Sequence, residues 1–451
     1  MACIRKALPI VLAGLAFAAQ QPASACYDRT FCLKWQPMLI DEGFGDVYTV
    51  PGHAYGARVT LIRPPPEPPL STFLDENGCM TFKTQFAFGH KVVVYSEARV
   101  GTPPQWIKAV RQEVYNGASE PRTWIVDLHG IAADDVMTHT IVDQATDPLA
   151  SIMAVTTLIM VRFGNLGVIP LEPQTPDHKP NLEVLFRDYK AGADGTCDGI
   201  GLGPDSYNKK FVIAHEMGHW LKCEWGGNFP PETKDYSYGD APNPPPNPPC
   251  RFGGVEAFDL NGKEIVTSAN QHGIRSAEWS TSAAKEGFAH FIAAATFNEV
   301  DIPDGDGVFR YYKAIDTEMF PEYADLKAAS YRISLLGGTA LESPLGGENR
   351  WTENRCPDDW AVDEVSTELD WLRFFWRFLT KGVDNKPTLS DVLEFFAYAK
   401  ETGSALWPIN GTNVWPQLEL IMDDSPGFFQ FLPRFQEANE VMGVYNDDTG
   451  A

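Results

Sequence analysis

The chain is poor in positive charge: 36 Lys and Arg stand against 60 Asp and Glu in 451 residues, a net charge of −24. That imbalance repels polyanions, which excludes nucleic acid and an anionic membrane surface as partners. The eight cysteines include no Cys-x-x-Cys, so a cysteine zinc cluster is excluded. Beyond the N-terminus no apolar run is long enough to cross a bilayer. What is present is 44% hydrophobic residues, ample for a sizeable core spread over two or three domains.

The N-terminus carries an export pattern. Arg5 and Lys6 precede an apolar stretch, Ala7 to Ala19, followed by Ala23-Ser24-Ala25, the small-x-small pattern of a signal-peptidase site. Residues 1–25 read as a cleaved signal with the mature chain starting at Cys26. The protein is therefore expected to be secreted, periplasmic or on the cell surface. A lipid anchor on Cys26 is an alternative, weakened by Ala23 where lipoprotein signals usually carry Leu. Seven cysteines remain: Cys26, Cys32, Cys79, Cys197, Cys223, Cys250 and Cys356. Disulfides are their expected state in an oxidising compartment, and Cys223 and Cys250 bracket a loop whose base they can tie.

Residues 211–221, Phe-Val-Ile-Ala-His-Glu-Met-Gly-His-Trp-Leu, place a His-Glu-x-x-His motif in an apolar, helix-compatible run. Positions four apart lie on one face of an α-helix, so His215 and His219 can offer two imidazole nitrogens to one tetrahedral zinc. Glu216 sits beside that face, placed to act as a base on water rather than as a ligand. The competing reading is a buried helix whose histidines only satisfy hydrogen bonds. A third ligand separates the two.

Residues 40–100 have a strand-and-turn rhythm. Ala57 to Ile62 alternates, Pro64 to Pro69 is a stiff turn, Asp75-Glu-Asn-Gly78 is a second turn, and Cys79 to Phe82 and Lys91 to Tyr95 are strand candidates. The pattern resembles the small transthyretin-like or carboxypeptidase-regulatory-like β-sandwich; a β-rich pre-domain without separable function is the other reading. From residue 101 helices and strands alternate. Pro104 to Tyr115 is expected as a helix, Arg122 to Leu128 as a strand, Leu149 to Phe163 as a buried helix and Asn181 to Phe186 as a strand. The Pro-rich stretch 226–250 cannot be helix or central strand and is a spacer or a flap. The last hundred residues read as helical, with Leu369, Leu372, Trp376 and Leu379 at helical spacing and Thr388-x-x-Asp391 as a capping-box start.

The metzincin pattern is missing: Lys222 and Trp225 stand where it needs Gly and His. Downstream, Trp279 begins a second strong helix, with Ser280 or Ser282 as candidate N-cap, in which Glu286 and His290 are four apart. Lys285-Glu-Gly-Phe-Ala-His290 resembles the Asn-Glu-Gly-Phe-Ala segment of the aminopeptidase branch of the gluzincin metallopeptidases. The resemblance comprises His215-Glu216-x-x-His219 and Glu286-Gly-Phe-Ala, with 66 residues between His219 and Glu286. It implies an α+β, zincin-like fold and a Zn2+ site of His215, His219 and Glu286. It also implies hydrolysis of a peptide or protein substrate with Glu216 as general base. His290 is expected as a partner holding Glu286, since a fourth protein ligand would close the site. An oxyanion donor is expected among Tyr311, Tyr312, Tyr323 and Tyr331, or His272. No Gly-x-Met-Glu-Asn segment precedes His215, which favours an endopeptidase. The rival from another class is a zincin-like surface binding or adhesion protein; Glu216 speaks against it, since a binding scaffold has no use for a base.

Other motifs are weaker. Asp301, Asp304 and Asp306 make a carboxylate-rich turn that can hold Ca2+ or simply be solvated. Gly199-Ile-Gly-Leu-Gly203 is expected to be a loop without a preceding strand. Asn410-Gly-Thr412 is a glycosylation sequon. The expected layout is a signal (1–25), a β-sandwich pre-domain (26–100), an α/β zincin subdomain (101–225), a Pro-rich insertion (226–275) and a helical C-terminal subdomain (276–451).

Overall fold

The structure is a computed structural model. It describes residues 27–37, 39–40, 47–48, 52–84, 86, 89–100, 106–113, 119–128, 136–142, 148–165, 182–190, 192–197, 199–226, 255–258, 264–266, 278–297, 365–366, 368–380, 387–403 and short pieces between 418 and 436. The export signal, Cys26, Cys250, Cys356, the expected tyrosines and His272, the Asp301 turn and the sequon lie outside the described residues, as does the Pro-rich stretch beyond Gly226.

Helices and strands both contribute, giving an α+β chain. The strands before the first helix are β1 (Tyr27–Gln36), β2 (Leu39–Ile40), β3 (Val47–Tyr48), β4 (Gly52–His53), β5 (Ala57–Ile62), β6 (Leu70–Phe73), β7 (Cys79–Thr84), β8 (His90–Val100), β9 (Trp106–Glu113), β10 (Ser119–Pro121), β11 (Thr123–Leu128) and β12 (Val136–Val142). Then come α1 (Leu149–Asn165), β13 (Leu182–Arg187), β14 (Ala193–Thr196), β15 (Gly199–Leu202) and α2 (Lys210–Gly226). Two short hairpin strands, β16 (Val255–Phe258) and β17 (Glu264–Val266), and β18 (Glu278–Trp279) lead to α3 (Ser280–Phe297). The helical end comprises β19 (Val365–Ser366), α4 (Glu368–Thr380) and α5 (Leu389–Gly403).

Two sheets organise the first half. In one, β1 runs parallel to β12 and antiparallel to β4 and β7. The other has the order β14-β15-β13-β9-β8-β5-β6, with β10 on β9 and β11 on β8. Strand alternation explains their inner faces. Ala57, Val59 and Leu61 of β5 are buried, as are Leu182, Val184 and Phe186 of β13, the period-2 burial of a strand with one covered face. Trp35 of β1 meets Trp124 of β11 edge-on, with ring centroids 5.4 Å apart. Val100 pairs with Trp106, so the sheet is continuous from the expected pre-domain into the expected zincin segment.

Residues 106–113 correct one expectation: they form β9, not a helix. Between β8 and β13, β9 satisfies both backbone edges and buries Val110 completely; tertiary pairing outweighs local propensity there. Gly199 to Leu202 is likewise a strand, not a loop, and β14 precedes it. Ile200 and Leu202 are buried, while a Cβ on Gly201 would intrude between Arg187 and Asp194.

Disulfides join Cys32 to Cys79 and Cys197 to Cys223. The expected Cys223–Cys250 pairing is thereby corrected: Cys223 faces the sheet and ties the β14–β15 turn to α2. The bridge closes a segment of sequence separation 26, and the loop-entropy argument gives it about 3.5 kcal/mol. Replacing both cysteines with Ser is expected to lower the unfolding free energy by that amount in urea denaturation. An unchanged midpoint would show that packing alone holds the hairpin.

α1 is buried nearly all round, from Leu149 to Phe163, and packs on β1, β8, β9 and α2. α2 packs on α3, β14 and α5, and α3 on α4. Helix α5 starts with the capping box: Thr388 N–H donates to Asp391 Oδ2 at 2.6 Å, and Asp391 N–H donates to Thr388 Oγ1 at 3.1 Å. The core between α3 and α4 is aromatic, with Phe288 and Phe291 at 5.4 and 5.6 Å from Phe375.

Candidate metal centre

Helix α2 delivers His215 and His219 from consecutive turns, while Phe211, Ile213, Ala214, Met217, Trp220 and Leu221 anchor it in the core. Helix α3 crosses it closely enough that a Cβ on Gly218 would lie 2.7 Å from Ala289 Cα. Gly218 and the small residue opposite let the two backbones approach, and this approach brings Glu286 to the histidines. A similar contact follows on the other side of α3. A Cβ on Gly287 would lie 2.7 Å from the Glu368 carbonyl oxygen, so α4 is seated directly behind the ligand-bearing turn.

The result is a triangle. His215 Nε2, His219 Nε2 and Glu286 Oε2 stand 3.1 Å from one another on all three sides. A tetrahedral ion with bonds of about 2.0–2.1 Å spaces its ligands by about 3.3 Å, so the donor atoms fall within a few tenths of an ångström of a ligand set. Two Nε2 atoms at hydrogen-bond distance also need something between them, because two lone pairs repel and only one proton fits. A cation answers all three atoms at once. These residues can hold a metal ion, and two nitrogens with one carboxylate oxygen are a donor set that zinc and other first-row divalent ions accept.

The electrostatics agree with a cation-seeking site. Burial alone would push the Glu286 carboxyl up, but the charge of His219, hydrogen bonds from His215 and His219, and the charge of His215 hold it well below the usual carboxylate range. Glu286 is 5% exposed, so a bare carboxylate there requires such compensation.

Glu216 lies next to the triangle and is also buried. A Cβ on Gly195 would lie 2.5 Å from the Glu216 carbonyl oxygen, 2.9 Å from His219 Cβ and 3.0 Å from Glu216 Oε2. β14 therefore passes directly over the metal helix, with only a glycine between backbone and carboxylate. Asp194, beside it, ion-pairs with Arg187 and Lys190. Burial would raise its carboxyl, but the hydrogen bonds and charges of Lys190 and Arg187 leave it below its ordinary value.

His290 was expected behind Glu286. Its Nδ1 lies 3.1 Å from His215 Nδ1 and its Nε2 lies 2.7 Å from Glu368 Oε2, so both ring nitrogens are committed to other partners. Burial first, and then the neighbouring His215, pull its pKa down to about 4 against the opposing influence of Glu368. Sequence reasoning missed Glu368 and Gly195. Glu368 lies 78 residues from His290 in a helix whose pattern marks only its apolar face.

No family model matches the chain, and no curated protein sequence matches it. Among solved structures, a 9R-lipoxygenase from Cyanothece aligns at 8% identity over 49% of this chain and 27% of its own, with a TM-score of 0.14. A likeness at that level carries no argument about fold or function.

Proposed function

We propose that this chain is a secreted, zinc-dependent metallopeptidase with a zincin-like fold, acting as an endopeptidase. The observation that carries the reading is the meeting of Glu286, from a separate helix, with His215 and His219 beside the buried carboxylate of Glu216. A structural site would ask for a fourth protein ligand. Among the described residues that could hold a metal, the cluster stops at three, which is the count that leaves a position for water and substrate.

When bound, zinc acts as a Lewis acid and lowers the pKa of water to about 7. Glu216 takes the proton from the attacking water and passes it to the leaving amine as the peptide bond breaks. Its backbone is fixed by α2 and its side chain is confined by Gly195, so the carboxylate is aimed before substrate arrives. Among the described residues β14 is the outermost strand of its sheet, and we place the substrate there. An extended peptide pairing with its outer edge would gain backbone hydrogen bonds while lying across Glu216. The two disulfides agree with an oxidising compartment. Among the described residues no helix is long and apolar enough to cross a membrane.

The test is direct. Protein purified with its disulfides intact is expected to hold one zinc per chain and to cleave internal bonds in a broad peptide library. Activity should disappear with a chelator and return with added zinc. Protein that binds zinc stoichiometrically yet cleaves nothing in the library would sink the peptidase reading and favour the adhesion alternative.

A further inference from the structure

We propose that Glu368 and His290 form a relay behind His215 that locks this histidine in the one tautomer able to ligate a cation. The proposal rests on the metal-centre reading above and adds two positioning residues to it, from two further helices.

The argument is a proton count. To offer its Nε2 lone pair into the triangle, His215 must carry its proton on Nδ1. That N–H points at His290 Nδ1, 3.1 Å away, which must then be a bare acceptor. With its Nδ1 bare, His290 holds its proton on Nε2, where it donates to Glu368 Oε2 at 2.7 Å. A carboxylate is an acceptor only, so the chain closes with no mismatch. Reversing either imidazole sets two N–H groups or two lone pairs against each other. The consistent arrangement is the one that presents a free His215 nitrogen to the metal.

Placement supports the role. Glu368 is 1% exposed and begins α4, where the helix dipole favours a negative charge. Its backbone carbonyl lies where a Cβ on Gly287 would meet it at 2.7 Å, so the start of α4 is seated against α3 at this point. His219 offers the contrast: its Nδ1 is buried and has no hydrogen-bond partner among the described residues. The two imidazole ligands are therefore unequal. His215 is fixed and polarised through two groups, while His219 is held by packing. A carboxylate acting through an imidazole raises the basicity of a ligating histidine as well as orienting it.

The test uses the zinc-loaded protein, labelled with 15N in histidine, and reads the protonation site of each ring from long-range proton–nitrogen correlations. His215 is expected to be protonated on Nδ1 and His290 on Nε2. Glu368→Gln, which preserves shape but removes the charge, is expected to weaken zinc binding about 10-fold in chelator competition, without shifting the melting temperature of the metal-free protein. A His290 proton on Nδ1 in zinc-loaded wild type overturns the relay and leaves the proposed function standing. So does a folded Glu368→Gln protein with wild-type zinc affinity. Should that variant fail to fold, the wild-type spectrum decides. Wild type that takes up no zinc overturns the relay and the proposed function together.

Discussion

Glu216→Gln is expected to retain one zinc per chain and to lose about 10²–10⁴ in kcat, the range that a positioned general base contributes. The substitution is nearly isosteric, and Glu216 is not one of the three donor atoms, so the triangle keeps its geometry. Gln cannot accept a proton from water, nor return one to the leaving amine. Both losses fall on the transition state, so kcat should drop while KM changes little. Glu216 is 8% exposed, and Gln of the same shape keeps its packing and can still hydrogen-bond through its amide. The variant is therefore expected to fold and to hold its zinc. Measuring kcat, KM and zinc content on one preparation separates the cases. Turnover within a few-fold of wild type at full zinc occupancy would remove Glu216 from the mechanism.

The His215, His219 and Glu286 group that could hold a metal was legible in the sequence because its information is local. His215, Glu216 and His219 lie within one helical turn and a half, and helix periodicity alone puts the two imidazoles on one face. Glu286 was legible through its short flanking motif. What the sequence did not disclose is what holds these pieces in place, since that information is carried by contacts between distant segments. Gly218 reads as a weak helix residue until α3 is seen to pass over it. Gly195 carries no motif, and its importance appears only once β14 is seen above Glu216. His290 divides in the same way. Four-residue spacing places it near Glu286, whose charge acts on it, but its contacts with His215 of α2 and Glu368 of α4 come from segments far away in the chain.

The fold shows the same division. Strands with clear alternation, such as Ala57–Ile62 and Cys79–Thr84, and helices with a strong apolar period, such as Glu368–Thr380, lie close to their expected positions. Trp106–Glu113 was misread because its residues are compatible with either state and its two strand partners decide the outcome. The disulfide partner of Cys223 was left open by the sequence, where proximity along the chain only suggested Cys250. In the fold Cys223 stands on the side of α2 that faces the β14–β15 turn.

Removing the third ligand is the sharpest test of the centre itself. Glu286→Ala is expected to weaken zinc binding by about 10²–10³, because four-ligand zinc sites of about 10–16 kcal/mol assign each ligand roughly 3–4 kcal/mol. The loss is electrostatic as well as geometric. An imidazole that ligates a cation is neutral, so Glu286 is the member of the group that would bring a negative charge to the ion. Thermal unfolding gives a readout independent of catalysis. At a zinc concentration a hundredfold above its Kd, wild type gains about 2.7 kcal/mol of stability. At that same concentration a variant with a hundredfold higher Kd gains only about 0.4 kcal/mol. The zinc-dependent rise in Tm should therefore be large in wild type and nearly absent in Glu286→Ala. Glu286→Gln should fall between them, since its amide oxygen can still reach the ion without its charge. An undiminished zinc-dependent Tm shift in Glu286→Ala would mean that the ion sits on the α2 histidines with some other donor. The meeting of α2 and α3 at Gly218 would then be a packing contact and not the assembly of a site.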